Sequence, residues 1–578
     1  MACATASTST ASSSPDASTS GRIRSEQPRP AALSWVAVAA CLLAVVLFLR
    51  KPDSLLNPQF WAEDGTFFLD AYDHGLWWTI TRPIAGYLNT VPRLVAGLAV
   101  LFPLRAAPLL FNLAAFFVQM LPVLYLLSDR MGRWIPDRRL RVVVAFLYVS
   151  APNSYETYVI LDNSQWNLAL AALVLLVADP PQSRLGYIGD LALLILFACT
   201  GPIAIFLLPL ALQNLLRQRH GWQRRWFSIQ CAIVAAGAAV QMALLLVVGR
   251  PPPADSAWPT LQELLKILST HIFFNSLLGI HGTIEFSSFL TPAVEVAGLA
   301  LTVMLATVAL ARRYRPLVWL LYLSGMTVCS SLLFTASRRT AWLSPTFGSR
   351  YYLYATLFVL YAIVWLCARR GRLRALGALL ALPVLGLAIP RDFAHPGDFA
   401  DIRRPDTRYA DQVAVFETLP AGASFYIPTQ PEGWGGFVLR RKSAARGASP
   451  LAGLRFIGGE PDYFLDAPEV TTVFTGGADP YVHFSGWAVD TAAKEVAGGV
   501  WLEVDGKLFP AVTGEEADQA ELLLRDRRGR MAGFSRDIPL SEIGFGTHRL
   551  SMVVLTADRT GYYRIPWRFF SLSAPEPA

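Results

Sequence analysis

Apolar residues fall in long runs through the first two thirds of the chain and then give way to short alternating stretches. The first run, "AALSWVAVAACLLAVVLFL" at 31–49, follows Arg22, Arg24 and Arg29 and leads into "RKPDS" with no small-x-small cleavage signature. It predicts an uncleaved first span with a cytoplasmic N-terminus. Further runs near 106–127, 141–152, 165–178, 187–199, 201–215, 227–249, 289–311, 317–335, 351–367 and 373–389 bring the expectation to about eleven spans by the length rule. The arginine-rich loops "SDRMGRWIPDRRLR", "LRQRHGWQRR", "ARRYRP" and "CARRGRLR" then share the side of the N-terminus, as cytoplasmic loops do. "YLNTVPRLVAGLAVLFPL", 87–104, is kept out of the spanning set as a membrane-surface or re-entrant helix, because counting it would push the arginines of 129–141 outside. An odd number of spans leaves an acidic first external loop at 50–105, the loops 152–164, 250–288 and 336–350, and everything after 390 on the extracytoplasmic face.

Beyond 390 the pattern changes. Stretches such as "ASFYIP", "VHFSGWAVD", "GGVWLEVDGKLF" and "HRLSMVVLTA" alternate between Gly-containing turns, including "VDGK", which predicts strands. We expect a membrane-proximal extracytoplasmic unit at 391–459 and a β-sandwich-like domain at 460–578. Residues 1–30 open with a Ser/Thr/Ala tract holding too little apolar surface to pack, and read as a disordered cytoplasmic tail.

Composition fits this division. The 578 residues are 53% hydrophobic and 16% charged, with mean hydropathy +0.40, a balance that no soluble core of this length needs. The fold class expected is therefore an α-helical polytopic membrane protein carrying a C-terminal extracytoplasmic β-domain. The formal charge of +8 is modest, and its arginines cluster between apolar runs; this marks cytoplasmic loops and argues against a nucleic-acid surface. All six cysteines (Cys3, Cys41, Cys199, Cys231, Cys329, Cys367) lie in the tail or in apolar segments, so no disulfide framework or zinc spacing emerges.

One segment combines charge with grease. "NPQFWAEDGTFFLDAY", 57–72, sets Glu63 and Asp64 among Phe60, Trp61, Phe67 and Phe68, with Trp77, Trp78 and Tyr87 close behind. Asp64 as the N-cap of the following helix, or both acids as solvated surface charge, are the plain readings. Against them, aromatics favour the bilayer interface, and a carboxylate held there is partly desolvated, which raises its pKa and suits a general base.

A first external loop with adjacent acids, on a multispan protein with an extracytoplasmic C-terminal domain, resembles the GT-C superfamily of membrane glycosyltransferases. "WAEDGTFF" stands where that superfamily carries its variable DxD-like acidic pair, though with Glu-Asp. "GYLNTVPR" (86–93), "APNSYETYVILDNSQW" (151–166) and "SPTFGSRYYLYA" (344–355) agree with it. The likeness implies a bacterial plasma-membrane enzyme moving a sugar, with inversion, from a polyprenyl-phosphate donor to a hydroxyl of a glycan or glycolipid acceptor outside the cytoplasm.

Within that resemblance, Asp64 or Glu63 is the base, the other orienting the acceptor or holding a divalent cation, Mg or Mn. Arg350 is the first choice for the donor phosphate and Arg93 the second, with Arg338 and Arg339 weaker. Tyr87, Glu156, Asp162, Asn163 and Gln165 are candidates for substrate contact, Trp166 for stacking on a sugar, and His271 for assistance. Interface snorkelling, loop capping and structural hydrogen bonding are the plain alternatives for these residues. Trp434, Trp487 and Trp501 either stack on glycans or fill a core. A transporter or flippase, lining a path with polar residues, and a non-catalytic envelope assembly protein are the rival functions, and an O-antigen-ligase-like or acyltransferase enzyme is a further possibility. The candidate acids sit in external loops, spans such as 227–249 carry no charge, and the chain shows no inverted repeat, which tilts against transport.

Overall fold

The computed structural model describes residues 35–218, 220–249, 259–312, 314–334, 342–394, 407–419, 421–430, 436–442, 451, 453–467, 472–474, 481–566 and 568–573. The tail, Trp434, Arg338 and Arg339 lie outside these residues. Up to residue 394 the chain is helical, and beyond it strands dominate.

Seven helices among the described residues are long and apolar enough to cross a membrane: Leu104–Leu127, Trp222–Val247, Leu261–Glu285, Pro292–Ala311, Arg315–Phe334, Ser349–Cys367 and Arg372–Arg391. Several stretches expected to span form shorter helices instead. Trp35–Arg50, Ser164–Val177 and Ala204–Arg217 have 16, 14 and 14 residues, and 14 residues rise only about 21 Å. Every residue of Ser164–Val177 is buried, so this helix is enclosed by protein and need not match the hydrocarbon thickness. Thr90–Ala99, within the expected surface segment, has 10 residues.

Antiparallel neighbours give the bundle two distinct ends. At one, Arg50 donates to the carbonyls of Val149 and Ala151 (3.1 and 2.8 Å), and Asn112 donates to Ser54 (2.7 Å). At the other, Trp134 donates to Val177 (3.0 Å), Asn214 to Leu176 (2.7 Å) and Tyr314 to Trp134 (2.7 Å). The acid loop and the segments 151–163 and 342–349 belong to the first end, the arginine-rich loops to the second.

Leu261–Glu285 departs from the expected external loop at 250–288. It opens on a capping box, Thr260 with Glu263, and breaks at Gly279, whose φ of 72° interrupts the helix. Its middle is held to the acid end, where Asn275 donates to Pro345 (2.9 Å) and Asn153 to the His271 carbonyl (3.5 Å).

Among the described residues the strands form three sheets. Ser424–Pro428 and Gly436–Arg440 make an antiparallel hairpin. A five-stranded sheet is built on Tyr481–Asp490, between Gly533–Pro539 and Asp462–Ala467. A seven-stranded sheet is built on Gly546–Leu555, which pairs with Gly499–Val504 and Arg568–Ser573. Val482, Phe484, Phe534 and Ile538 of the smaller sheet join Leu502, Val504, Met552, Val554 and Phe570 of the larger in one buried cluster. The expected "VDGK" turn closes Gly499–Val504 onto Lys507–Pro510, with Asp505 and Gly506 at φ 50° and 84°, the left-handed pair a two-residue hairpin needs. Trp487 donates to Gln519 (3.1 Å) and packs beside Val489 and Ala520.

Candidate active site

The acid loop is shaped from both sides. Trp61 and Gln430 form a parallel bridge, in which Ala62 donates to the Gln430 carbonyl (2.5 Å) and Gln430 to that of Phe60 (3.0 Å). The hairpin thus sits directly on the start of the helix Asp64–His74. Gly65 is required there, since a Cβ would lie 2.4 Å from Phe437 Cδ1 and 2.9 Å from Thr429 Cγ2. Phe60 meets Phe111, Tyr409 and Phe437 edge to face. Further along, Tyr72 donates to the Arg440 carbonyl (3.2 Å) and Gln59 accepts from the Thr407 amide (2.7 Å). The unit after residue 407 therefore acts as a clamp on the acid loop.

Both plain readings of the acids fail at Asp64. The N-cap position belongs to Glu63, and no side chain caps the helix. Asp64 is wholly buried, its Oδ2 accepts from the Trp61 amide at 3.4 Å, and its buried Oδ1 has no hydrogen-bond partner. Burial pushes the Asp64 carboxyl well above the usual carboxylate range; the Trp61 amide opposes this, the Glu63 charge adds to it, and the Asp162 amide and Lys51 ammonium offset part of it.

Asp162 joins the pair from the next loop. It is only partly buried by exposed surface, yet its surroundings push its carboxyl well up: desolvation first, then the charges of Glu63 and Asp64 and a hydrogen bond with Glu63, with Arg350 opposing. Asn89 donates to both the Asp162 carbonyl (3.0 Å) and its Oδ1 (3.3 Å), fixing the carboxyl. Burial and the neighbouring charges thus favour the protonated forms of Asp64 and Asp162.

Cations flank this trio. Lys51 donates to the Tyr158 carbonyl (3.2 Å) and lies 5.9 Å from the Trp61 ring. Arg350 Nη1 pairs with Glu156 Oε1 at 3.1 Å, its amide donates to Glu156 Oε2 (3.0 Å), and Nη2 donates to the Tyr351 hydroxyl (3.2 Å). The Arg350 side chain remains 23% exposed.

Other expected ligands do different work. Arg93 is 2% exposed, pairs with Asp70 at 2.7 Å, donates to Thr79 at 2.9 Å and covers Phe67; it ties the acid helix to Thr90–Ala99 and does not reach the carboxylates. Glu156 orients Arg350 and is not free for sugar hydroxyls. Asn163 locks the same loop by donating to the Glu156 carbonyl at 2.8 Å. Gln165 donates to the Tyr87 hydroxyl (3.4 Å) and presses on Gly201, where a Cβ would fall 1.8 Å from its Oε1. Trp166 is buried against Tyr351 and Tyr354, so it offers no open stacking face. His271 is wholly buried, stacked on Tyr352 with centroids 4.4 Å apart and Nε2 on the Trp342 carbonyl (3.1 Å).

Backbone strain concentrates here. Ala62, Ala85, Asn153 and Val159, at φ 41°, 47°, 54° and 51°, all lie in loops around the carboxylates. Val159 is β-branched and pays most for this conformation, held by Gln119, which accepts from its amide (2.8 Å).

The donor set does not fit the expected divalent cation. Asp64 Oδ2 is occupied by an amide and Asp162 Oδ1 by Asn89, and no group of three His, Cys, Asp or Glu arranged to hold a metal occurs among the described residues. Neither the protein-family models nor the curated proteins compared with the chain match it.

Proposed function

We propose that the chain is a GT-C-like membrane glycosyltransferase that moves a sugar from a polyprenyl-phosphate donor to a hydroxyl of a cell-envelope acceptor. In this reading it has eleven spans, an extracytoplasmic β-sandwich and the acid end facing outward. The observation that carries the proposal is a trio of neighbouring carboxyl groups, Asp64 buried and Glu63 and Asp162 partly exposed, beside a partly exposed arginine at one end of a helical bundle. Such a pairing supplies what transfer from a phosphate-linked donor needs: a base for the acceptor and a cation for the departing phosphate.

Exposure divides the labour among the acids. Asp64 has no surface a hydroxyl can touch, whereas Glu63 and Asp162 are partly exposed. The base is therefore assigned to the Glu63–Asp162 pair, with Asp64 keeping the pair positioned from below. Arg350, oriented by Glu156, meets the phosphate with the donor face that Glu156 leaves open. Lys51 adds positive field from the far side. No step is routed through a metal.

The test compares envelope glycans, by mass spectrometry, in cells lacking the protein and in cells carrying Glu63→Gln, Asp162→Asn, Asp64→Asn or Arg350→Gln at normal membrane levels. The proposal expects a sugar missing on deletion to be missing also with Glu63→Gln and Arg350→Gln. It fails if deletion changes no glycan, or if all four variants restore the sugar.

A further inference from the structure

We propose that an arginine-lined cavity at the end of the bundle opposite the carboxylates binds a phosphate group. The cavity, of about 140 Å³, lies where the helices Ser164–Val177 and Ala204–Arg217 end and Trp222–Val247 and Arg315–Phe334 begin. Arg133, Arg217 and Arg315 line it together with Asn214 and a single carboxylate residue, Asp179. The 14-residue helix Ser164–Val177 separates it from Asp162, a distance of about 20 Å.

Three guanidinium groups converge on this space, and Asp179 is the one carboxylate residue in the lining to set against them. The neighbouring acids are committed elsewhere: Asp190 to Arg130 at 2.7 Å and Asp129 to Arg141 at 2.9 Å. Among the described residues, none of Arg133, Arg217 and Arg315 makes an ion pair. Arg315 donates through Nη2 to Asn214, whose own amide is fixed on the Leu176 carbonyl, while its Nε is buried with no hydrogen-bond partner. Like charges held together around an unsatisfied buried donor are costly unless an anion enters.

The chemistry of the walls selects the ligand. Guanidinium forks match phosphate oxygens in two-point contacts, and several forks can share one phosphate. The volume equals that of roughly four or five waters at about 30 Å³ each, room for one phosphate group with its substituent leaving through the open side. A basic pocket between membrane helices can take this group from an anionic phospholipid head or from free phosphate in solution.

The full-length protein, purified in mild detergent, is analysed by native mass spectrometry for retained phospholipid. It is also placed in phosphatidylcholine nanodiscs with and without phosphatidylglycerol, and titrated with inorganic phosphate by calorimetry. We expect retention of phosphatidylglycerol, weakened about tenfold or more by Arg217→Gln/Arg315→Gln and unchanged by Arg370→Gln at an exposed position. Saturable phosphate binding without retained lipid, lost in the same double variant, also supports the site and assigns it to a soluble ligand. Arg315→Lys, which keeps the charge and removes the fork, gives a milder loss and serves if the double variant does not fold. The proposal is overturned if the wild type binds neither probe, or if binding survives the double variant unchanged.

Discussion

Replacing Arg93 by Met distinguishes a tether from a phosphate ligand. Met keeps much of the apolar stem over Phe67 and removes the fork that reaches Asp70 and Thr79. The charge-assisted bond is worth about 1.5–3 kcal/mol, and the Thr79 hydroxyl, wholly buried, adds about 1 kcal/mol when it loses its donor. Asp70 is 22% exposed, so water recovers part of the loss; the net destabilisation expected is about 2–4 kcal/mol. Asp70→Asn alone should cost about 1–2 kcal/mol, and the double variant should fall short of the sum by about 1–2 kcal/mol. The assay is denaturant unfolding of the purified protein in detergent, followed by far-UV circular dichroism, for the wild type and the three variants. A loss below about 0.5 kcal/mol for Arg93→Met, or strict additivity in the cycle, would refute the tether.

Gly65→Ala should loosen the hairpin by about 1–3 kcal/mol through contact with Phe437 and Thr429; hydrogen exchange over 424–440 should accelerate, and unchanged exchange would count against the clamp. Because the folded-state pKa of Asp64 lies above its unfolded value, the wild type is favoured at low pH and loses stability as pH rises above about 4. Asp64→Asn removes that loss, so thermal unfolding curves should diverge in the variant's favour with rising pH; parallel curves would contradict the burial argument. Glu156→Gln should free Arg350 and cost only about 0.5–1.5 kcal/mol, since the pair is partly exposed, and envelope glycan profiling should show a loss resembling Arg350→Gln. An unaltered profile would remove Glu156 from the site's support.

Long apolar runs carried the helical region because burial in lipid or protein leaves a signal at every position. The Asp505-Gly506 turn was equally readable, being local chemistry. Leu261–Glu285 was hidden because Gln262, Glu263 and Lys266 dilute its start, so an apolar helix looked like an external loop. The acid pair was visible by its aromatic setting, but its third member was not distinguishable from other loop acids: Asp162 meets Glu63 only through the fold. Lys51 read as the flank of a span, and its buried position beside Trp61 has no local sign. The partners of Arg93 and Glu156, 23 and 194 residues away, have no local sign for the same reason.

The clamp on the acid loop also sets a schedule. Tyr72 and Arg440, joined by a hydrogen bond, are 368 positions apart. At about 5–20 residues per second of synthesis, the helix that begins with Asp64 exists for roughly 20–70 s before its cover is made. During that interval Phe60, Phe68 and the carboxyl of Asp64 lack the ceiling that Phe437 and Gln430 provide. A ribosome stalled near residue 400 would thus leave a nearly complete helical bundle whose acid loop is still uncovered, and the last step of maturation falls to a short hairpin.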